Sequence, residues 1–206
     1  MESYIRFADK VSAWVGRAFA WCIILMTFGV AYEVVVRYIF RSPTSWSFDI
    51  SYMMYGALFM MAGAYTLSRD GHVRADVFYR LWPVRVQGAV EFVLYFLFFF
   101  PGVLALIIAG WKYASRSIGY REVSVMSPAG VPVFQFKVII VAAGVLLLIQ
   151  GIAQVFRCVI AMKRGAWPPR EGDIEELESQ LIKQHDRSVL KHGSEAIDVV
   201  TPTPPR

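Results

Sequence analysis

Charged side chains are scarce in this 206-residue sequence, at 18% of the total, where soluble domains carry about a quarter. Residues that usually carry chemistry are scarce as well. The two cysteines, Cys22 and Cys158, each lie inside an apolar block, and neither has a Cys-x-x-Cys neighbour. This excludes a disulfide framework and thiol–disulfide exchange, and the pair reads as buried structural thiols. Of the three histidines, His72 falls in a polar hairpin, and His185 and His192 fall in a polar tail. The apolar blocks therefore offer no pair of opposed axial ligands for a membrane haem, and the tail pair lacks metal-ligand company. No Gly-rich phosphate loop and no nucleophile motif occurs. There is no internal repeat. A cleavable signal peptide is not expected either, because Glu2, Arg6, Asp9, Lys10 and Arg17 interrupt the first turns. These absences disfavour an enzyme; no catalytic residue, cofactor or metal site is expected.

What the sequence has is apolar length. Hydrophobic residues make up 56% of the chain and are concentrated in four blocks, at about 14–40, 47–67, 88–113 and 133–162. About 20 predominantly apolar residues cross a bilayer core of about 30 Å. The expected fold is an all-α integral membrane domain over residues 1–162, with four transmembrane helices. A polar tail, 163–206, follows it. Residues 2–13 alternate Tyr4, Ile5, Phe7 and Val11 with Arg6, Asp9 and Lys10. This pattern predicts a short interfacial lead-in lying on the headgroups. In the tail, Ile174, Leu177, Leu181 and Ile182 share a helical face, which predicts a short amphipathic helix. The closing Thr-Pro-Thr-Pro-Pro-Arg is expected to be disordered.

Basic residues near the blocks set an orientation. Arg6, Lys10, Arg17, Arg69, Arg74, Arg80, Arg85, Lys163, Arg164 and Arg170 would share one side; Arg37, Arg41, Lys112, Arg116 and Arg121 would share the other. The richer side is cytoplasmic by the positive-inside rule. Both termini and the 68–87 hairpin are then inside, and the 114–133 loop is outside. The net charge of +5 reads as membrane anchoring, and no nucleic-acid partner is expected.

A few polar residues sit within the apolar blocks. Glu33 and Arg37, four apart on one helical face, read either as an ion or proton site or as a structural pair near the outer interface. Glu91 marks the start of the third block, with Arg85 in reach only if that helix begins early. Lys137 is expected to snorkel to the headgroups. Gln150 and Gln154, also four apart, can bond to a neighbouring helix or contact a substrate. In the second block Gly56, Ala57, Gly63 and Ala64 recur one heptad apart, a stripe that admits close helix approach. Pro101 deprives the carbonyl of Leu97 of its partner and predicts a kink. Nothing polar lines the mid-plane, where carriers place their sites. The physical reading is a scaffold or accessory subunit packed against something larger.

Two stretches go further. The first block ends Glu33-Val-Val-Val-Arg37-Tyr38-Ile-Phe40, followed by Pro43, Trp46 and Asp49. The hairpin reads Gly71-His72-Val73-Arg74-Ala75-Asp76. In order, spacing and place these resemble the small membrane subunit, DctQ-like, of tripartite ATP-independent periplasmic (TRAP) transporters, over roughly residues 10–162. The segment Ser127-Pro128-Ala-Gly-Val-Pro132, with Lys137 and Leu148-Ile-Gln150-Gly151, also resembles a mannitol or chloroaromatic branch, a label that does not set the substrate.

The resemblance implies a multi-pass protein of the bacterial inner membrane. It implies a large membrane subunit as partner, which moves an organic acid inward on a sodium gradient, and a periplasmic substrate-binding protein that captures it. Sodium coupling would reside in the large subunit, and the small one would be a scaffold. On this reading Glu33, Arg37, Trp46, Asp49, Gly71, His72, Arg74 and Asp76 are partner or scaffold contacts. Locally, Gly71 is expected to allow the turn out of the second helix, Arg74 to bridge lipid phosphate or an acidic group, and Trp46 to sit at the outer interface. Asp49 would lie at a helix start, where negative charge is favoured. Alternative readings are a stand-alone oligomeric carrier and an accessory subunit of another membrane complex.

Overall fold

A computed structural model describes residues 1–71, 79 and 81–168. The expectations for His72, Arg74, Asp76, the amphipathic tail helix and the disordered end fall outside these residues. Among the described residues the chain is helical, with one isolated bridge between Val123 and Pro132. The helices are α1 (Glu2–Tyr38), α2 (Ser47–Ser68), α3 (Val84–Leu94), α4 (Phe100–Tyr120) and α5 (Phe134–Arg164). A π-helical turn, Tyr95–Phe99, joins α3 to α4 without a break. Four helical stretches, with 84–120 counted as one, are long and apolar enough to cross a membrane.

Two of these expectations meet a local feature of the fold. The amphipathic lead-in is not a separate element: α1 runs straight through it from Glu2. Two of its apolar residues, Ile5 and Ala8, are buried against Ala153 and Ile160 of α5, whereas Phe7 is exposed. At Pro101, the missing donor and ring are accommodated by the π-turn, where the amide of Phe100 donates to the carbonyl of Tyr95 five residues back. The stretch 84–120 contains 37 residues, about 55 Å of helix, and so projects well beyond a core of about 30 Å.

The last helix organises the rest. α5 packs against α1, α2 and the 84–120 helix, and α1 and α2 also pack on each other. Glycine sets several of these approaches. A Cβ on Gly16 of α1 would lie 2.7 Å from Cβ of Tyr65 on α2. One on Gly151 of α5 would lie 2.3 Å from the Phe99 ring, and one on Gly56 of α2 would lie 2.6 Å from Phe136 of α5. The stripe in α2 thus faces α5, with Ala57 and Ala64 buried. Much of the remaining apolar surface points outward, including Trp14, Trp21 and Phe28 on α1 and Phe98, Ile108 and Trp111 on the 84–120 helix. Such a surface suits lipid or another membrane protein, not water.

Candidate functional site

The alternating helices place the polar residues at two ends. The terminal end holds the start of α1, the end of α2, the start of α3 and the end of α5. The loop end holds the opposite termini, with the connections 39–46 and 121–133.

At the terminal end, Arg157 of α5 is 1% exposed. It forms an ion pair with Asp9 of α1, and its Nη1 also lies 3.5 Å from the carbonyl of Ser68. Gln150 Nε2 donates to Asp9 Oδ1 at 2.8 Å, and Ser12 Oγ donates to Gln150 Oε1 at 2.9 Å. Gln154 Nε2 donates to the carbonyl of Leu67 at 2.7 Å. One α5 face therefore supplies Gln150, Gln154 and Arg157. It ties α1 through Asp9 and Ser12, and it covers the last carbonyls of α2, where a cation also meets the negative end of the helix dipole. A buried arginine costs several kcal/mol to desolvate, and the cost is recovered only where its donors are met. The two glutamines bond to neighbouring helices, the first of the two roles their spacing allows.

The end of α2 is closed by a Schellman pattern. The amide of Gly71 donates to the carbonyl of Thr66 at 3.0 Å, and that of Asp70 to Leu67 at 3.4 Å. The left-handed residue is Asp70, at φ 59°, not Gly71. Gly71 serves the turn by leaving room, since a Cβ there would meet Thr66 Cγ2 at 3.1 Å.

Beside it, Glu91 of α3 is buried, accepts from the hydroxyl of Tyr79 and lies 3.8 Å from Cys158 Sγ. Tyr79 and Cys158 are among its carboxylate contacts, and α3 does begin early, at Val84. Gln87 donates to the carbonyls of Tyr79 and Trp82 at 3.1 and 2.9 Å and accepts from Trp167 at 3.1 Å. Cys158 is buried as expected of a structural thiol, whereas Cys22 is only half-buried on α1.

At the loop end, acids hold loops. Glu33 Oε1 accepts from Arg37 at 2.9 Å (Nε) and 2.6 Å (Nη2). Its Oε2 accepts from the Thr44 amide at 3.2 Å and from the Thr44 hydroxyl. Glu33 thereby joins Arg37 of its own helix to Thr44 of the 39–46 connection. Trp46, at the N-cap of α2, stacks on Tyr32 with centroids 6.4 Å apart.

Asp49, in the first turn of α2, is 0% exposed. It accepts from Ser124 Oγ at 2.8 Å and from Ser127 Oγ, so both carboxylate oxygens hold the 121–133 loop. The same loop is closed by Ser124 N donating to Val131 O at 2.8 Å and Val133 N donating to Glu122 O at 3.0 Å.

Lys137 does not snorkel. It is buried, paired with Glu122, and its ammonium lies 3.9 Å from the centroid of the Tyr113 ring. An ion pair and a cation–π contact together offset the lost hydration, so the side chain has no need to reach headgroups. The bond from Lys137 holds the Glu122 carboxyl below its ordinary range.

Sequence reasoning missed Asp9, Ser12, Arg157, Thr44, Ser124 and Ser127. The strongest available signal was Arg157, an unaccounted arginine inside the fourth apolar block, which demands an acidic partner. Asp9 was one of several carboxylates at the same end of the helices. Among the described residues, no group of three or more His, Cys, Asp or Glu is placed to hold a metal ion.

The class so defined is a four-helix membrane protein whose buried polar groups join helices and loops to one another. Residues 26–161 match the profile of the DctQ component of tripartite ATP-independent periplasmic transporters, and the chain belongs to that family. It is a family of transporter components, not of enzymes; the complexes contain a large membrane subunit and a periplasmic binding protein. No curated protein matches the chain. The matched range contains Arg157, Gln150 and Asp49, whereas Asp9 and Ser12 lie before it.

Proposed function

We propose that this chain is the scaffold subunit of a sodium-coupled importer of an organic acid or related small solute, held beside the large subunit in the bacterial inner membrane with both termini cytoplasmic. The family match across the four-helix domain carries the reading. Supporting it, the observed polar contacts fasten helix to helix and loop to helix, which suits a rigid support. The broad apolar outer faces of α1 and the 84–120 helix suit a membrane partner. Arg157 adds a further cation to the terminal end, in keeping with a cytoplasmic placement. Sodium and solute would be bound by the large subunit. Glu33, Arg37, Trp46 and Asp49 would shape the outer surface, and Gly71, His72, Arg74 and Asp76 the cytoplasmic one.

The test is purification of the tagged chain from native membranes in mild detergent, with mass spectrometry of what accompanies it. A stoichiometric, many-span partner is expected. In vesicles, uptake should require that partner, the binding protein and a sodium gradient. Glu33→Ala and Arg74→Ala should weaken assembly more than they alter solute preference. A clean homo-oligomer that transports alone would overturn the reading.

A further inference from the structure

The outer face of α1 is charged unevenly. From residue 18 to residue 36 no exposed side chain carries a charge, because Glu33, the only charged residue in that run, is buried. The run amounts to about 28 Å of helix rise, close to a hydrocarbon core of about 30 Å. Arg17 and Arg37 are the exposed charges that bracket it. With this run in hydrocarbon, Arg17 marks the boundary at the terminal end. Lys10 then stands two turns further out, on the headgroup side.

Lys10, Trp14, Arg17 and Trp21 follow one another at intervals of four, three and four, so they share one face of α1. Lys10 and Arg17 are exposed, and Trp14 and Trp21 are 69% and 64% exposed. Arg17 Nε donates to the carbonyl of Ala13 at 3.2 Å. The side chain thus runs back along the helix toward Lys10, and its two Nη groups are left for another acceptor. Neither cation has an ion-pair partner among the described residues. The adjacent acid, Asp9, is turned away to Arg157 of α5. Tryptophan is enriched at membrane–water interfaces, and here Trp14 has one cation a turn to either side of it. Two cations on one face with no acid between them lack an anion.

We propose that Lys10 and Arg17 together bind the phosphate of one anionic phospholipid, such as a phosphatidylglycerol, beside Trp14, with its acyl chains along the charge-free run from Trp21 onward. The Lys10 ammonium supplies a compact charge and the Arg17 Nη groups a pair of donors, which suits a single phosphate. A zwitterionic headgroup would bring a third cation to this face, so the site selects for net negative charge. Basic side chains at the membrane surface attract anionic lipid in this way. At the depth that the bracketed run sets, lipid phosphate is the abundant anion. The site needs neither the solute nor the orientation proposed above, only that α1 crosses the bilayer.

The test uses the full chain, with whatever accompanies it from native membranes, after its lipid has been stripped in detergent. Native mass spectrometry then follows phosphatidylglycerol and phosphatidylcholine as each is added back. The first phosphatidylglycerol should bind roughly tenfold more tightly than phosphatidylcholine. Lys10→Gln/Arg17→Gln should remove that preference, and Arg17→Lys should keep part of it. A phosphatidylglycerol with a photo-reactive headgroup should cross-link to wild-type residues 10–17, a result that does not depend on any variant folding. No preference in the wild type, or an undiminished one in the double-glutamine protein, would overturn the proposal. So would headgroup cross-links confined to other parts of the chain or to an accompanying protein. Displacement of the lipid by excess inorganic phosphate would overturn the assignment to lipid.

Discussion

The two ends of the molecule use buried charge for different purposes. At the terminal end the partners are helices far apart in the chain: Asp9 and Arg157 are separated by 148 residues, and Gln154 and Leu67 by 87. At the loop end an acid on a helix holds a connection: Glu33 reaches Thr44 across 11 residues, and Asp49 reaches Ser124 across 75. The first arrangement fixes which helices are neighbours. The second fixes the shape of a surface. Damage at the terminal end should therefore appear as loss of the fold, and damage at the loop end as a local opening with the helices still packed.

The largest effect is expected from Arg157→Ala. It leaves Asp9 without its cation and strips a donor from the end of α2; a fully buried pair would lose about 3–5 kcal/mol, and this one loses less, because Asp9 is partly exposed and keeps its bond from Gln150. Unfolding in mixed detergent micelles would measure it. Adding Asp9→Asn should recover part of the loss, because the uncompensated carboxylate is then gone. If Arg157→Ala were no worse than a surface substitution, the terminal end would not be what orders the helices.

Next comes Gly16→Ala, whose Cβ would fall 2.7 Å from Cβ and 2.8 Å from Cγ of Tyr65. These atoms lie close to the backbone of α2 and cannot swing away, so about 1–3 kcal/mol of overpacking is expected. Gly63→Ala is the control, since its Cβ would make an ordinary contact with Leu147 Cδ2 at 3.7 Å. Equal stability of the two variants would mean that α1 and α2 are not held at this separation.

Asp49→Ala should be milder in global stability, about 1 kcal/mol, because Ser124 and Ser127 can turn to water once the loop lifts. Its signature is regional. Amide exchange should accelerate across 121–133 and stay unchanged in residues 2–12. Acceleration at both ends alike would abolish the distinction between them.

The same contrast explains what was legible in the sequence. Four apolar blocks of sufficient length announce four membrane helices, because a bilayer leaves the backbone few other options. The Glu33–Arg37 pair was legible because its spacing of four is a helical turn, and the glutamines because a polar pair in an apolar block must bond somewhere. Arg157 raised a question that only Asp9 answers, and no local rule joins positions so far apart. Lys137 was misread for a related reason: proximity to a helix end suggests snorkelling, but Glu122 and Tyr113 come from neighbouring elements and make burial the better solution. At the end of α2 the glycine drew attention, yet the left-handed residue is its neighbour Asp70, since either position satisfies the same turn pattern in a sequence.

The smallest effect, and the finest division between the two ends, concerns Glu122. The hydrogen bond from Lys137 stabilises its carboxylate, so its folded pKa lies below its ordinary value of 4.5. A depressed carboxyl contributes stability that is fully present above the ordinary value and is lost as pH falls through the folded one. The clasp between the 121–133 loop and α5 should thus hold at neutral pH and slacken in acid. The difference in thermal midpoint between wild type and Glu122→Gln should be constant from about pH 7 down to about pH 5. Below that it should shrink toward zero as wild-type Glu122 protonates, whereas other titrating carboxylates move both proteins together and cancel. A difference that persists undiminished in acid would mean that the Glu122 charge is not what fastens this loop, and that Asp49 holds it alone.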